Sequence, residues 1–266
     1  MVQEIRKSNA ETMFPEIDPS QVIETVGLTR RFGTFTAVDA VNLKVGGREI
    51  FGLIGPNGAG KSTLVKMLTT MLPPTAGKAL VAGFDVSSAP EQVRKHIGYV
   101  PQVLSSDREL TGYENLLLSA RLYLIPRPER AKRIDEAIKM MDLGDFRDRL
   151  VRDYSGGMLR RLEIAQSMLH RPSILFLDEP TVGLDPGGRH VVWEHVRALN
   201  NDLGSAVVLT THYMDEADEL CHRVGVIYGG KLKAVGTPAD LKSRYARGGT
   251  LDDVYEALTG GGRIAP

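Results

Sequence analysis

The chain has 266 residues, 42% hydrophobic and 25% charged, enough to bury the core of one large domain or two small ones. Lys+Arg, 33, balance Asp+Glu, 33, which removes any global attraction to nucleic acid or acidic lipid. No apolar run approaches the roughly 18 residues of a membrane-spanning helix, and the single cysteine, Cys221, leaves no internal disulfide, so the composition points to a cytosolic protein.

Residues 1–20 are polar, aperiodic and broken by Pro15 and Pro19, and carry charge where a secretory signal would be apolar; they are expected to form an N-terminal extension. The domain proper is expected over 21–240. Short runs rich in β-branched residues, at 37–45, 49–55, 173–178, 206–211 and 224–228, predict buried strands. Between them, Leu159, Leu162, Gln166 and Leu169 after Ser155, and Val192, Val196 and Leu199 after Pro186, recur at helical spacing. Strands alternating with helices predict an α/β fold with a mostly parallel sheet covered on both faces. The segment 106–156 carries no convincing strand and reads as a helical insert, with proline breaks at Pro126 and Pro128. A tail, 241–266, follows, with an apolar stripe of Leu251, Val254, Tyr255 and Leu258 expected to pack on its own core or on a partner.

The strongest chemical signal is Gly55-Pro56-Asn57-Gly58-Ala59-Gly60-Lys61-Ser62, followed by Thr63, directly after a predicted strand. Glycines let such a loop wrap a polyphosphate with backbone N–H groups at a helix start, while Lys61 reaches the outer phosphates and Ser62 coordinates Mg²⁺. The second signal is the apolar run Ser173 to Leu177 ending in Asp178 and Glu179. Unpaired buried carboxylates cost several kcal/mol, but at a strand's carboxyl end both can face a cation in the crevice. Asp178 suits Mg²⁺ and Glu179 suits polarising an attacking water. The third is Tyr154-Ser155-Gly156-Gly157-Met158. Two glycines behind an N-cap serine cost helix propensity unless something approaches the backbone closely, so a second anion-binding helix start is expected.

The order of phosphate loop, Gln102, Ser-Gly-Gly, Leu-Asp-Glu, Gly183-Leu184-Asp185 and His212 resembles the nucleotide-binding subunit of an ABC transporter over about 21–240. That resemblance implies a RecA-like phosphate-loop core with an N-terminal antiparallel β portion and a helical subdomain. It implies an ATPase working as a head-to-tail dimer, homodimeric or paired with a paralogue, with two ATP molecules sandwiched between subunits. Phe32 would stack on adenine, with Phe35 a weaker candidate; Gln102 would ligate Mg²⁺ and sense a membrane partner; His212 would hydrogen-bond the γ phosphate. Asp185 would cross the dimer interface, and Ser155, Gly156 and Gly157 would bind the nucleotide held by the other subunit. The common pattern LSGGQ reads YSGGM here, so Met158 removes the side-chain donor of the usual Gln. The stretch around Ser155 and the tail TLDDVYEALTG resemble drug-resistance-type export ATPases, which implies a separate permease, a position on the cytoplasmic face of the cell membrane and no nucleic-acid partner. The alternative is a soluble ABC-type ATPase acting in DNA repair or translation.

Overall fold

The computed structural model describes residues 21–260; the expected extension 1–20 and the end of the tail, 261–266, lie outside the described residues. The chain opens with two long antiparallel strands, β1 (Gln21–Phe32) and β2 (Phe35–Gly46). On β2, Val41, Leu43 and Val45 are buried while the residues between them are not, the alternation of a strand with one wet face. β3 (Ile50–Ile54) is buried along its whole length and delivers the chain to α1 (Lys61–Leu68). After β4 (Ala76–Val81), β5 (Phe84–Asp85) and α2 (Pro90–His96), the short β6 (Ile97–Val100) precedes the irregular segment bearing Gln102.

Helices α3 (Gly112–Leu122) and α4 (Arg127–Met140) and two short 3-10 turns fill the strandless region. Thr111 starts α3 through a reciprocal capping box with Glu114. α5 (Gly156–Met168) follows, then β7 (Ile174–Asp178), α6 (Pro186–Leu203), β8 (Ala206–Thr211), α7 (Met214–Leu220), β9 (Arg223–Tyr228), β10 (Lys231–Gly236), α8 (Pro238–Tyr245) and α9 (Leu251–Thr259).

These strands form two sheets among the described residues: a four-stranded antiparallel sheet in the order β2-β1-β4-β5, and a six-stranded sheet in the order β10-β9-β3-β8-β7-β6. All neighbours of the second sheet are parallel except β10, an antiparallel edge. Helix α1 lies between the sheets and buries Leu64, Val65, Met67 and Leu68 against residues such as Val38, Val41, Phe176 and Val208. On the other face, Leu175, Leu177, Leu209 and Val224 share a core with Leu116, Ile134, Leu162 and Trp193 of the helices.

The tail stripe docks on its own chain. Leu251, Val254 and Tyr255 are buried in that same core, with Leu258 packed at its margin. Cys221 is buried against Gly52, whose position has no room for a side chain, and burial pushes its thiol well above the ordinary range. It is a packing residue.

Candidate nucleotide site at the carboxyl ends of the parallel strands

β3, β7 and β8 are adjacent and parallel, so the segments leaving their carboxyl ends converge at one edge. From β3 the loop 55–60 turns back to α1. Gly60 takes φ 108° and a Cβ there would stand 2.5 Å from the Ala37 carbonyl oxygen, while at Gly55 it would stand 2.4 Å from that of Ile227. Both positions demand glycine on steric grounds.

Lys61 Nζ donates to the carbonyl oxygens of Gly55 at 2.7 Å and Pro56 at 3.1 Å, and lies 3.3 Å from Glu179 Oε1. Burial lowers its pKa, an effect opposed by the charge and hydrogen bond of Glu179. Ser62 Oγ donates to Asp178 Oδ1 at 3.0 Å across 116 positions of sequence. The same carboxylate oxygen accepts from Thr210 Oγ1 at 2.6 Å, and the Tyr99 hydroxyl hydrogen-bonds the carboxylate as well. Burial first, and then Asp178, push the Tyr99 pKa up to about 12, which keeps it a donor.

Glu179 sits at φ 49°, a left-handed conformation that costs a non-glycine residue about 1–3 kcal/mol. Its amide donates to the Thr210 carbonyl at 3.1 Å and to Thr210 Oγ1 at 3.0 Å, which holds the turn. The Glu179 carboxylate accepts from Gln102 Nε2 at 3.0 Å, and His212 Nδ1 stands 3.4 Å away without forming a hydrogen bond.

A cleft of about 500 Å³ is lined by Phe32, Phe35, Ala37, Pro56, Asn57, Gly58, Gly60, Lys61, Ser62, Thr63, Gln102 and Glu179. Both phenylalanines are exposed, with the Arg30 guanidinium 4.6 Å from the Phe32 ring. Gly55 and Ala59 lie behind the lining: the Ala59 amide donates to the Pro56 carbonyl and its side chain is buried. Asp178 is reached through Ser62, and His212 through Glu179.

Ser155, Gly156, Gly157 and Asp185 do not line this cleft. Ser155 caps α5 by accepting from the Met158 amide at 3.3 Å, and Asp185 caps α6 by accepting from the Gly188 amide at 2.6 Å. Gly156 packs beside Leu184, so both caps share one exposed surface. Thr210, Tyr99 and Ala37 join the site without belonging to any of its sequence motifs. The two consecutive threonines ending the apolar run of β8 were the available signal for Thr210; nothing local marked the other two.

A Gly-rich loop opening a helix, two carboxylates at the end of the neighbouring strand and a cleft sized for a nucleotide define a phosphate-loop ATPase. Residues 38–182 match the ABC transporter family. The chain is 49% identical over 225 residues to the daunorubicin/doxorubicin resistance ATP-binding protein DrrA of Streptomyces peucetius, covering 85% of this chain and 68% of that one. It is 40% identical to the Nod factor export ATP-binding protein I of Rhizobium meliloti, covering 86% and 68%. Among solved structures, a dimeric ATP-binding cassette in a post-hydrolysis state with ADP and Pi superposes with a TM-score of 0.72 at 26% identity, covering 81% of this chain and 98% of that one. The chain belongs to the ABC transporter family, as an ATP-binding, ATP-hydrolysing subunit of the drug-resistance type, and the DNA-repair or translation alternative is not favoured. Subunits of this family bind nucleotide, dimerise and work with membrane permeases. No helix among the described residues is long and apolar enough to cross a membrane.

Proposed function

We propose that this chain powers efflux through a separate permease on the cytoplasmic face of the cell membrane, as a head-to-tail dimer with itself or with a paralogue. The observation that carries the reading is the Ser62 to Asp178 hydrogen bond, which puts the phosphate loop and the acidic strand end into one cleft that Ser155 does not reach. One chain then offers half of each site: the loop face for its own ATP, the Ser155 face for its partner's. Efflux rests on the drug-resistance and export relatives.

Within the cleft, Phe32 offers its face to adenine, with Phe35 beside it, and the amides of 57–63 together with Lys61 hold the phosphates. Ser62, Asp178 and Gln102 supply oxygen ligands that suit Mg²⁺, a hard cation that takes few protein ligands and completes its shell with phosphate and water. Magnesium, when bound, adds positive charge against the phosphate oxygens. Glu179 orients and polarises the attacking water, and His212 donates to the γ phosphate. Ser155, Gly156 and Gly157 close on the partner's nucleotide, with Asp185 crossing between subunits.

Helices between 106 and 156 act as the moving subdomain. Beside them, a polar groove of about 410 Å³ between α3, α5 and the segment after β6 is rimmed by Leu118, Leu122 and Tyr123. Val103, Leu104 and Leu124 are exposed nearby. That patch is the permease's docking surface. The test is Glu179→Gln with Mg-ATP: turnover should fall by about 10²–10⁴-fold while ATP binding persists, and light scattering should show a trapped dimer. A monomer at saturating ATP would remove the sandwich reading.

A further inference from the structure

Helix α5 carries two buried, opposite charges that the site above does not use, Arg160 and Glu163. Both point at the segment leaving β6. Arg160 donates from Nη1 to the Pro101 carbonyl at 2.7 Å and from Nη2 to the Gln102 carbonyl at 3.0 Å, while Nη1 also meets Glu163 Oε2 at 3.1 Å. Glu163 in turn accepts the Ser105 amide in a short hydrogen bond and the Ser105 hydroxyl at 3.3 Å, and the Ser106 backbone contributes as well. The pair therefore grips the Gln102 segment on both sides.

A buried ion pair is a poor way to gain stability, because desolvating both charges offsets most of their attraction. What it supplies is geometry. The planar guanidinium reaches two successive carbonyl oxygens at fixed angles, which a lysine could not do. Gln102, held this way, touches Glu179 at 3.0 Å, and Ser155 begins the same helix five residues, or about 7.5 Å of axial rise, before Arg160.

We infer that Arg160 and Glu163 are positioning residues that lock the Gln102 segment to the Ser155 helix, so that a change at one chain's nucleotide repositions the half-site this chain presents to its partner. The inference rests on the dimeric reading of the ATP site. It extends that reading by naming the joint through which one site reports to the other. A flexible segment would let Gln102 follow the nucleotide while α5 stayed still; the pair removes that freedom.

The test uses the full chain with Arg160→Lys, which keeps the charge and loses the fork, and Glu163→Gln, which keeps the shape and loses the charge. Three quantities are measured: affinity for an ATP analogue, ATP dependence of hydrolysis, and local amide hydrogen exchange. Affinity should stay within about twofold, since neither side chain lines the cleft, while kcat falls by about tenfold. The Hill coefficient should drop from near 2 toward about 1. Exchange should rise at 103–107 and stay unchanged at 55–63. Variants that keep wild-type cooperativity would overturn the link, as would exchange rising equally in both loops, the signature of general destabilisation. A wild-type chain without cooperativity would instead remove the two-nucleotide reading and this inference along with it.

Discussion

Lys61 Nζ stands 3.3 Å from Glu179 Oε1, and the two side chains are only 4% and 5% exposed. Lys61 Nζ also donates to two carbonyl oxygens of its own loop, so the cation after β3 and the carboxylate after β7 share one buried contact.

Lys61→Ala is therefore expected to do two things. It removes a charge-assisted contact of about 1.5–3 kcal/mol, or roughly ten- to hundredfold in ATP affinity, and it leaves the buried Glu179 without its cation. Titration calorimetry with ATP checks the first effect; an affinity near wild type would contradict the loop assignment.

Thr210 ties the Asp178 side chain to the Glu179 backbone, its hydroxyl donating to Asp178 Oδ1 and accepting from the Glu179 amide. Thr210→Val keeps the shape and removes both interactions. The expected cost is about 1–3 kcal/mol of stability for the unsatisfied buried groups, with a weaker Mg²⁺ dependence of turnover as Asp178 loses its orientation. Chemical denaturation and a magnesium titration of the ATPase rate read these separately, and unchanged behaviour in both would dismiss Thr210 as a holder of the site.

Docking of the permease is best probed at Leu122, which is 73% exposed at the end of α3 and lines the groove. Leu122→Asp should leave basal hydrolysis intact and abolish stimulation by a co-reconstituted permease. Glu114→Lys is a poorer probe, because Glu114 closes the capping box of α3 by accepting the Thr111 amide at 2.8 Å and hydroxyl at 2.9 Å, which also lowers its pKa. Full stimulation of the Leu122 variant would move the docking surface elsewhere.

The tail contributes to the core through Tyr255, among the largest fully buried side chains. Tyr255→Ala should cost about 3 kcal/mol, a fall in Tm of about 6–12 °C at 2–4 °C per kcal/mol. Calorimetric scanning measures it; a shift below about 2 °C would show the stripe of α9 to be incidental.

The nucleotide loop was legible in the sequence because its constraint is local: glycine spacing, a preceding strand and a helix start all lie between Glu49 and Thr63. The same holds for the Asp178 and Glu179 pair ending an apolar run, and for the α9 stripe, each carried by the period of its own element. Tyr99 and the Arg160–Glu163 grip were not legible, and the threonines ending β8 did not show what Thr210 holds, since each acts on a residue far away in the chain, such as Glu163 on Ser105 across 58 positions. Local sequence determines what an element is and which backbone groups its ends leave free; only parallel packing of β3, β8, β7 and β6 decides which free ends become neighbours, because that register is set by the summed burial of all four strands rather than by any one of them.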